Sequence, residues 1–314
     1  MSSTKIIKRR IKSATNISQI TKAMEMVAAS KMRYAQDMAL SSRPYTEKMR
    51  EVLTSIVEII KKDITHFLLE TPKKSIQDED AQSKILVVVL SSDKGLCGGL
   101  NSNLYRGLES WQESLLQKDP EARKARFEFI TVGKKAKEHV MKTQRFLLAE
   151  FSSFGDKPHY RDIMPLFDAV HDSFRTKEYQ KIYIIFMEFI STIVQRLSVK
   201  QLLPIEKSSI ESAFEEIMLE EKRPVKFEFY KDYIFEPNAK TIFNKLLPEY
   251  LGLYIYHIVL ESIASEHSAR MVAMKSAHDN ATDVVKDLSL EYNRLRQQKI
   301  TNELLDSISA RMVM

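Results

Sequence analysis

The stretch KILVVVLSSDKGLCGGLN, residues 84–101, joins an uninterrupted apolar run to a cluster of glycines. The apolar run predicts a strand that is covered on both faces, as in a parallel sheet. Gly95, Gly98 and Gly99 are three of only seven glycines among the 314 residues of the chain. A glycine-rich turn between a strand and a helix is a common position for a phosphate in α/β proteins. The stretch predicts an α/β domain and raises the question of whether its turn binds a nucleotide.

The spacing of the glycines argues against a phosphate site. A loop of the GxxxxGK[ST] type needs a lysine and a hydroxyl after its last glycine, whereas Leu100 and Asn101 follow Gly99. The dinucleotide pattern GxGxxG is also absent. We therefore predict a structural turn, with Asn101 or Ser102 capping the next helix.

The backbone conformation of a sharp turn explains why glycine is expected here. We expect Gly98 or Gly99 to need backbone angles that a β-branched residue avoids, so that Gly99→Val destabilises the domain. Asp93 and Lys94 could form an acid and base pair, but neighbours in a turn more often form a local ion pair or a cap. We therefore favour the structural role.

Other chemistry has little support in the sequence. The seven histidines lack HExxH or comparable ligand spacing, and no serine lies in a GxSxG motif. The single cysteine, Cys97, excludes an internal disulfide and a cysteine-rich metal site, and we expect it to be a small buried residue. The sequence thus predicts no catalytic residue, no metal site and no cofactor.

Apolar runs and helical patterns alternate through the middle of the chain. Further strands are predicted at residues 126–132, 145–151, 181–189 and 195–205, with helices over 104–117 and 162–174 between them. An antiparallel or edge strand is predicted at 225–237, after a charged insertion around 211–223.

Both ends of the chain predict long helices. Residues 1–43 contain neither glycine nor proline, and neither occurs after Gly252. A helix from Glu249 to Met314 would be on the order of 100 Å long, so the terminal helices must bury their apolar stripes against each other or inside a partner. Pro44 should kink the first helix or mark a change of environment. The expected stripes are Ile17, Ile20, Met24, Val27, Ala28, Ala35 and Met38 in the first helix, and Val284, Leu288, Tyr292, Leu295, Leu304 and Ile308 in the last.

Charge and hydropathy restrict the partners and the cellular location expected for the chain. Residues 1–33 carry eight lysines and arginines against Glu25 alone, which favours an acidic partner, nucleic acid or anionic lipid, or simply a solvated face. The longest apolar runs, such as residues 251–260, are too short to cross a bilayer, and no secretory segment precedes the first helix. We expect a protein on the cytoplasmic side.

Four motifs together resemble the gamma subunits of F-type ATP synthases. They are RIKSATNISQITKAMEMVAASKMRYAQ (10–36), SSDKGLCGGLN (91–101), SEHSARMVAMKSAHDNA (265–281) and YNRLRQQKITNEL (292–304), in the order of that family. The resemblance covers nearly the whole chain. It implies an antiparallel coiled coil of helices 1–62 and 238–314 standing on a Rossmann-like α/β domain, 63–237, that binds no nucleotide. The implied function is that of a non-catalytic central rotor stalk, which couples ion flow through a membrane c ring to ATP synthesis or hydrolysis.

The resemblance also implies partners and contact residues. The partners are three alpha and three beta subunits around the coiled coil, an epsilon subunit and the c ring, at the cytoplasmic face of a bacterial plasma membrane. Tyr233, Phe235 and Glu236 match the segment at the c ring. The positions that match the contact with the catalytic ring, and the place where the two helices brace each other, are Met24, Arg270, Arg296, Gln297, Thr301 and Glu303. Replacing Arg270 and Gln297 together is expected to lower ATP turnover without changing the thermal midpoint.

Two segments depart from the family pattern, and two other functions stay open. The ending DSISARMVM lacks the usual small residues, and the segment from Ser208 to Arg223 is longer than usual. A nucleotide-binding α/β enzyme would bind ATP or NAD tightly on its own. A nucleic-acid-binding coiled coil would show strong, salt-dependent affinity for DNA.

Overall fold

The structure is a computed structural model that describes residues 3–60, 66–70, 83–205 and 233–312. Within these ranges the chain forms five α-helices and five strands, besides short 3-10 helices at Phe67–Leu69 and Ala122–Lys124. In chain order they are α1 (Ser3–Ile60), β1 (Lys84–Leu90), α2 (Leu100–Lys118), β2 (Arg126–Val132), α3 (Lys134–Lys142), β3 (Phe146–Phe151), α4 (Tyr160–Arg175), β4 (Lys181–Phe189), β5 (Gln195–Leu203) and α5 (Ala239–Met312).

The five strands form one sheet in the order β3-β2-β1-β4-β5. The first four are parallel, because helices α2, α3 and α4 carry the chain back between them, and β5 pairs antiparallel with β4. The strands predicted between residues 84 and 205 are confirmed, and their observed ends differ by at most two residues.

The continuous apolar character of β1 is explained by cover on both faces of the sheet. Leu86, Val88 and Leu90 point into a core formed with α1, α4 and α5. Ile85, Val87 and Val89 point to the opposite face, where α2 and α3 close a second core. All six side chains are at most 3% exposed, so β1 is the central strand of the α/β domain.

The terminal helices pair antiparallel. Ser18 contacts His278, where the Oγ to Nδ1 distance is 3.0 Å, and it also lies 3.1 Å from the hydroxyl of Thr282. Further along α1, the hydroxyls of Ser42 and Thr46 lie 3.2 and 3.1 Å from His257 Nε2. Numbers rise on α1 while they fall on α5, which confirms the predicted coiled coil.

The buried seam of α1 differs from the predicted stripe. Ile17, Ile20 and Val27 are more than half exposed, so their assignment to the seam was wrong. The seam instead follows a heptad in which small residues predominate, so that the two backbones approach closely. Its buried members are Ile7, Ala14, Thr21, Ala28, Met32 and Ala35. On α5, Leu288, Tyr292 and Leu295 are half-buried as predicted, whereas Val284, Leu304 and Ile308 are exposed.

Each terminal helix continues through a proline. Helix α5 begins at Ala239, ten residues before Glu249, where the local pattern put its start, and one residue after 238, the start that the family resemblance implies; it continues through Pro248 and Gly252. Gly252 is required by packing, since a Cβ there would lie 2.5 Å from the Tyr160 hydroxyl. Helix α1 likewise runs through Pro44 without ending. No helix in the described ranges has an apolar window long enough to cross a membrane.

Two predicted features cannot be followed in full. The 208–223 insertion and residues 225–232 of the predicted strand lie outside the described residues. Residues 233–237, which end that predicted strand, are not in a strand. The predicted edge strand was therefore wrong over this part, which instead contacts α1.

The glycine turn contains one residue that needs glycine for its backbone. Gly98 has φ +60°, whereas Gly99 has φ −85° and is the residue that precedes the first turn of α2. The expected cap was wrong, because Asn101 lies inside α2 and donates to Ser92 Oγ at 2.8 Å. Leu96 also has a positive φ, 63°, which shows how sharply the chain turns here.

Replacement of Gly98 should therefore be costly, and replacement of Gly95 should not. We expect Gly98→Val to lower the free energy of unfolding by about 1–3 kcal/mol, because a β-branched residue is strained at positive φ. Gly95→Ala is the matched control, since no atom lies within 4 Å of a Cβ at that position and its φ is not in the left-handed region. Urea unfolding of the full chain measures both changes, and equal losses would contradict the assignment.

Candidate functional site

Arg270 on α5 joins the long helix to the glycine turn. Its guanidinium Nη2 donates to the carbonyl oxygens of Lys94 and Gly95 at 3.1 and 3.3 Å. Nη1 lies 2.7 Å from Glu266 Oε1 on the same helix. The residue is 8% exposed, so these contacts occupy a buried side chain. The turn thus presents carbonyl oxygens to a cation, which supports a structural role for it.

The contacts of Arg270 correct one expectation. A side chain buried against its own chain contributes to stability, so Arg270→Ala is expected to lower the thermal midpoint by leaving Glu266 without its partner. These contacts replace the expectation of an unchanged midpoint with the prediction of a lower one. A contact between Arg270 and another subunit stays a prediction.

His267 lies beside Arg270 and is held neutral. Arg270 Nη1 donates to His267 Nδ1 at 3.2 Å, and His267 Nε2 lies 3.7 Å from Asp156 Oδ1. Burial lowers the pKa of His267 to about 4, with further lowering by Arg270 and Lys31, while Asp156 opposes the shift. Burial also raises the pKa of Glu266, and attraction to Arg270 offsets part of that rise.

Asp93 organises the other side of the turn. Its carboxylate accepts from the backbone of Lys134 at 2.9 Å and from the Ser153 hydroxyl at 2.7 Å. Burial opposes ionisation, but hydrogen bonds from Ser153 and Lys134 outweigh it, and the pKa of Asp93 is lowered. Asp93 therefore links the end of β1 to the start of α3 and to the loop after β3. Within the described ranges, no group of three or more histidines, cysteines and carboxylates is placed to hold a metal ion.

The six residues predicted at the catalytic ring lie at two levels of the shaft. Arg270 and Arg296 are 26 positions apart on α5, which corresponds to about 39 Å. Because Ser18 lies opposite His278, half-buried Met24 on the antiparallel α1 lies at the level of about residue 272. Met24 and Arg270 thus share the lower level, close to the α/β domain. The other four residues form the upper level.

The upper level is a single exposed helix. Ser3 lies roughly opposite residue 293, so α5 extends about 19 residues, or roughly 28 Å, beyond the start of α1. Thr301 Oγ1 donates to the Gln297 carbonyl at 3.0 Å, and Glu303 lies 3.4 Å from Lys299. Gln297 and Thr301 therefore share one face, and Glu303 is turned toward Lys299.

The predicted c-ring residues lie beside the C-terminal end of α1, at the opposite end of the structure from the α5 tip. Tyr233 donates to Glu51 Oε1 at 2.9 Å, and the rings of Tyr233 and Phe235 are 6.0 Å apart. Phe235 packs against the core, whereas Glu236 is exposed. Ile234, between them, is 88% exposed. Inward-facing and exposed side chains thus alternate along residues 233–236, which leaves Ile234 and Glu236 available to a partner.

Sequence reasoning missed several exposed apolar residues. Besides Ile234, the structure exposes an apolar face on α1 that was assigned to the seam, and another on the α5 tip. These residues are Ile17, Ile20 and Val27 on α1, and Ile300, Leu304, Leu305 and Ile308 on α5. Their heptad position relative to the small-residue seam was the available signal, because one helix cannot turn both stripes toward α5.

Comparisons with known proteins agree with this architecture. A family model described as ATP synthase matches residues 3–312. The ATP synthase gamma chain of Dehalococcoides mccartyi is 39% identical over 309 residues, with 98% of each chain covered. That of Chloroflexus aurantiacus is 36% identical, again with 98% of each chain covered. The chain belongs to the ATP synthase gamma chain family.

Solved structures show the same fold. A chain in the Euglena gracilis mitochondrial ATP synthase, described as OSCP/F1/c-ring, matches with a TM-score of 0.60 at 19% identity and covers 99% of this chain and 94% of that one. A chain in the central stalk and c ring of the Tetrahymena thermophila mitochondrial enzyme gives 0.51 at 24% identity, over 82% of this chain and 99% of that one. The predicted family, fold and role as the rotor stalk of ATP synthase are confirmed.

The buried state of His267 predicts a loss of stability in acid. Between pH 6.5 and about 4 the unfolded chain binds a proton at this histidine that the folded chain does not, so stability falls as the pH is lowered through that window. We expect the loss to be on the order of 2–3 kcal/mol. Urea unfolding of the full chain at pH 7 and pH 4.5 measures it. His267→Gln is the matched comparison and should lose less; an equal loss would contradict the prediction.

Proposed function

We propose that this chain is the non-catalytic rotor inside a ring of three alpha and three beta subunits, carried by a c ring and accompanied by an epsilon subunit. The proposal extends family membership to particular partners. The observation that carries it is the tip of α5, a lone helix with Ile300, Leu304 and Ile308 exposed. An apolar helix that the described part of its own chain leaves exposed favours enclosure by partners.

Rotation explains why such a subunit needs no catalytic group. The coiled coil is asymmetric, since α1 and α5 present different side chains, and only one of them reaches the tip. A shaft of this kind inside a ring of three like sites presents a different face to each site. Differential contacts then bias each site between open and closed states, and rotation moves that bias around the ring.

The α5 tip and residues 233–236, which lie at opposite ends of the rotor, are assigned to different partners. The α5 tip lies toward the catalytic ring, and residues 233–236 lie toward the c ring at the cytoplasmic face of a bacterial plasma membrane. The proposed face at the catalytic ring consists of Met24 and Arg270 at the lower level and Arg296, Gln297, Thr301 and Glu303 at the upper level. The bacterial relatives support this location.

Copurification tests the assembly. A tagged chain expressed with the alpha and beta subunits of its own genome should recover them in equal numbers, at three copies each per tag. Recovery of the chain alone, or tight binding of ATP or NAD by the chain alone, would contradict the proposal and favour an independent nucleotide-binding protein.

The tip contact gives a prediction about activity. Gln297→Ala with Thr301→Ala should lower steady-state ATP turnover of the assembled complex by roughly tenfold, because a lost pair of contacts worth about 1.4 kcal/mol changes a rate by that factor. Both side chains are exposed, so the thermal midpoint should not change. The control is Lys135→Met on α3. An equal fall of turnover and midpoint would indicate that these residues only stabilise the helix.

The alternation at residues 233–236 sharpens the c-ring prediction. In a Cys97→Ser background, cysteines at Ile234 and Glu236 should crosslink to c-subunit loops more efficiently than a cysteine at Phe235, whose side chain packs inward. Mass spectrometry of the crosslinked membranes identifies the partner. Efficient crosslinking to beta would mean that this end of the rotor faces the catalytic ring.

A further inference from the structure

The loop that joins β3 to α4, residues 152–159, contacts three parts of the chain, namely the sheet, α1 and α5; we call it the strap loop. On the sheet side, the backbone and hydroxyl of Ser153 both donate to Asp93, at 3.3 and 2.7 Å. Phe154 packs against the core, and Gly155 turns the loop with φ +76°. This end of the strap loop is fixed to the sheet and to the end of β1.

The middle of the strap loop contacts α1. Asp156 Oδ2 lies 2.6 Å from Lys31 Nζ, and Lys157 Nζ lies 4.8 Å from the centre of the Tyr34 ring. Lys31 and Tyr34 are three positions apart, so both contacts fall on one face of α1. Burial raises the pKa of Asp156, but its hydrogen bond and attraction to Lys31 outweigh this effect and the pKa is lowered.

The same loop also contacts α5. Asp156 Oδ1 lies 3.7 Å from His267 Nε2, and the Pro158 carbonyl accepts from the Tyr256 hydroxyl at 3.1 Å. Asp156 therefore contacts both helices of the coiled coil from an element that belongs to the sheet. Arg270 extends this set of contacts, because it donates both to His267, which lies beside Asp156, and to the glycine turn that follows β1.

We propose that the strap loop fixes the rotational phase of the coiled coil relative to the α/β domain, and that Lys31 and Asp156 are positioning residues for coupling. The inference rests on the proposed function, since phase matters only if torque passes between the two ends. Core contacts hold α5 and the second half of α1 against the sheet. The strap loop adds a polar contact between α1 and the loops of the sheet at the level where the shaft leaves the domain.

The exposure of the ion pair between Lys31 and Asp156 determines how strongly the strap loop is held to α1. The side chains of Lys31 and Asp156 are 33% and 53% exposed, so solvent screens the ion pair. Its loss should therefore open the strap loop only about threefold more often. Such a change leaves the fold intact and alters the transmission of torque.

Hydrogen exchange of the purified ATP synthase complex tests the structural half of the inference. Lys31→Met and Asp156→Asn should each speed amide exchange at residues 153–157 by about threefold. Because both remove the same pair, the double variant should exchange no faster than either single one. Lys135→Met is the matched control, since Lys135 and Glu138 form a pair of similar exposure within α3 alone. Unchanged exchange in the two strap variants would overturn the inference.

Proton pumping by membrane vesicles tests the functional half. Each strap variant should lower the initial pumping rate per ATP hydrolysed below that of the unsubstituted complex, because an open strap loop lets the coiled coil turn relative to the α/β domain. The subunit ratio should not change, and Lys135→Met should pump like the unsubstituted complex. Faster exchange with normal pumping would overturn the positioning role, and so would a loss in Lys31→Met that Asp156→Asn does not share. Failure of the unsubstituted chain to assemble or to pump would instead contradict the proposed function.

Discussion

Helix α5 has to satisfy two different environments, and the rest of the structure depends on how it does so. Its first half is buried nearly all round, with Leu251, Ile255 and Leu260 in the core against the sheet and α4. Beyond Met274, the last buried residue of the helix in the described ranges, no domain covers it. A helix of 74 residues, about 110 Å long, cannot be enclosed by one sheet. Helix α1 supplies the missing cover, and the antiparallel pair follows.

The α/β domain was predictable because its signals are local. Runs such as residues 84–90 and 181–189 are long, apolar and bounded by turn residues, and their observed bounds agree with the sequence. The glycine turn was also readable in part, since a positive φ at Gly98 or Gly99 followed from steric rules. What the rules could not give was the partner of the turn, because Arg270 lies 175 positions from Gly95 along the chain.

The coiled-coil seam was harder to predict, for a physical reason. Hydrophobicity favoured Ile17, Ile20 and Val27, which are exposed, and missed the buried Ala14 and Thr21, whereas Ala28 and Ala35 of the predicted stripe are buried as expected. Small residues bury little area each but let two helices approach closely, so tight packing and high hydrophobicity select different stripes here. Local pattern alone set the start of α5 at Glu249, just after Pro248, because proline removes a helix hydrogen bond, whereas the helix begins at Ala239 and continues through Pro248.

The two apolar stripes also explain how one helix pair can hold together and still turn against other subunits. A seam of alanine and threonine uses α5 as its partner and leaves the isoleucines on the outside. Those isoleucines then meet the surroundings without contributing to the pairing of the helices. The structure thus separates the contacts that keep α1 and α5 in register from the apolar side chains that α1 leaves exposed. Register in turn is fixed by polar contacts, Ser18 with His278 and Ser42 with His257, which only one alignment satisfies. A shaft built this way transmits rotation without slipping along its own seam, because any axial shift would break those hydrogen bonds before it gained an apolar contact.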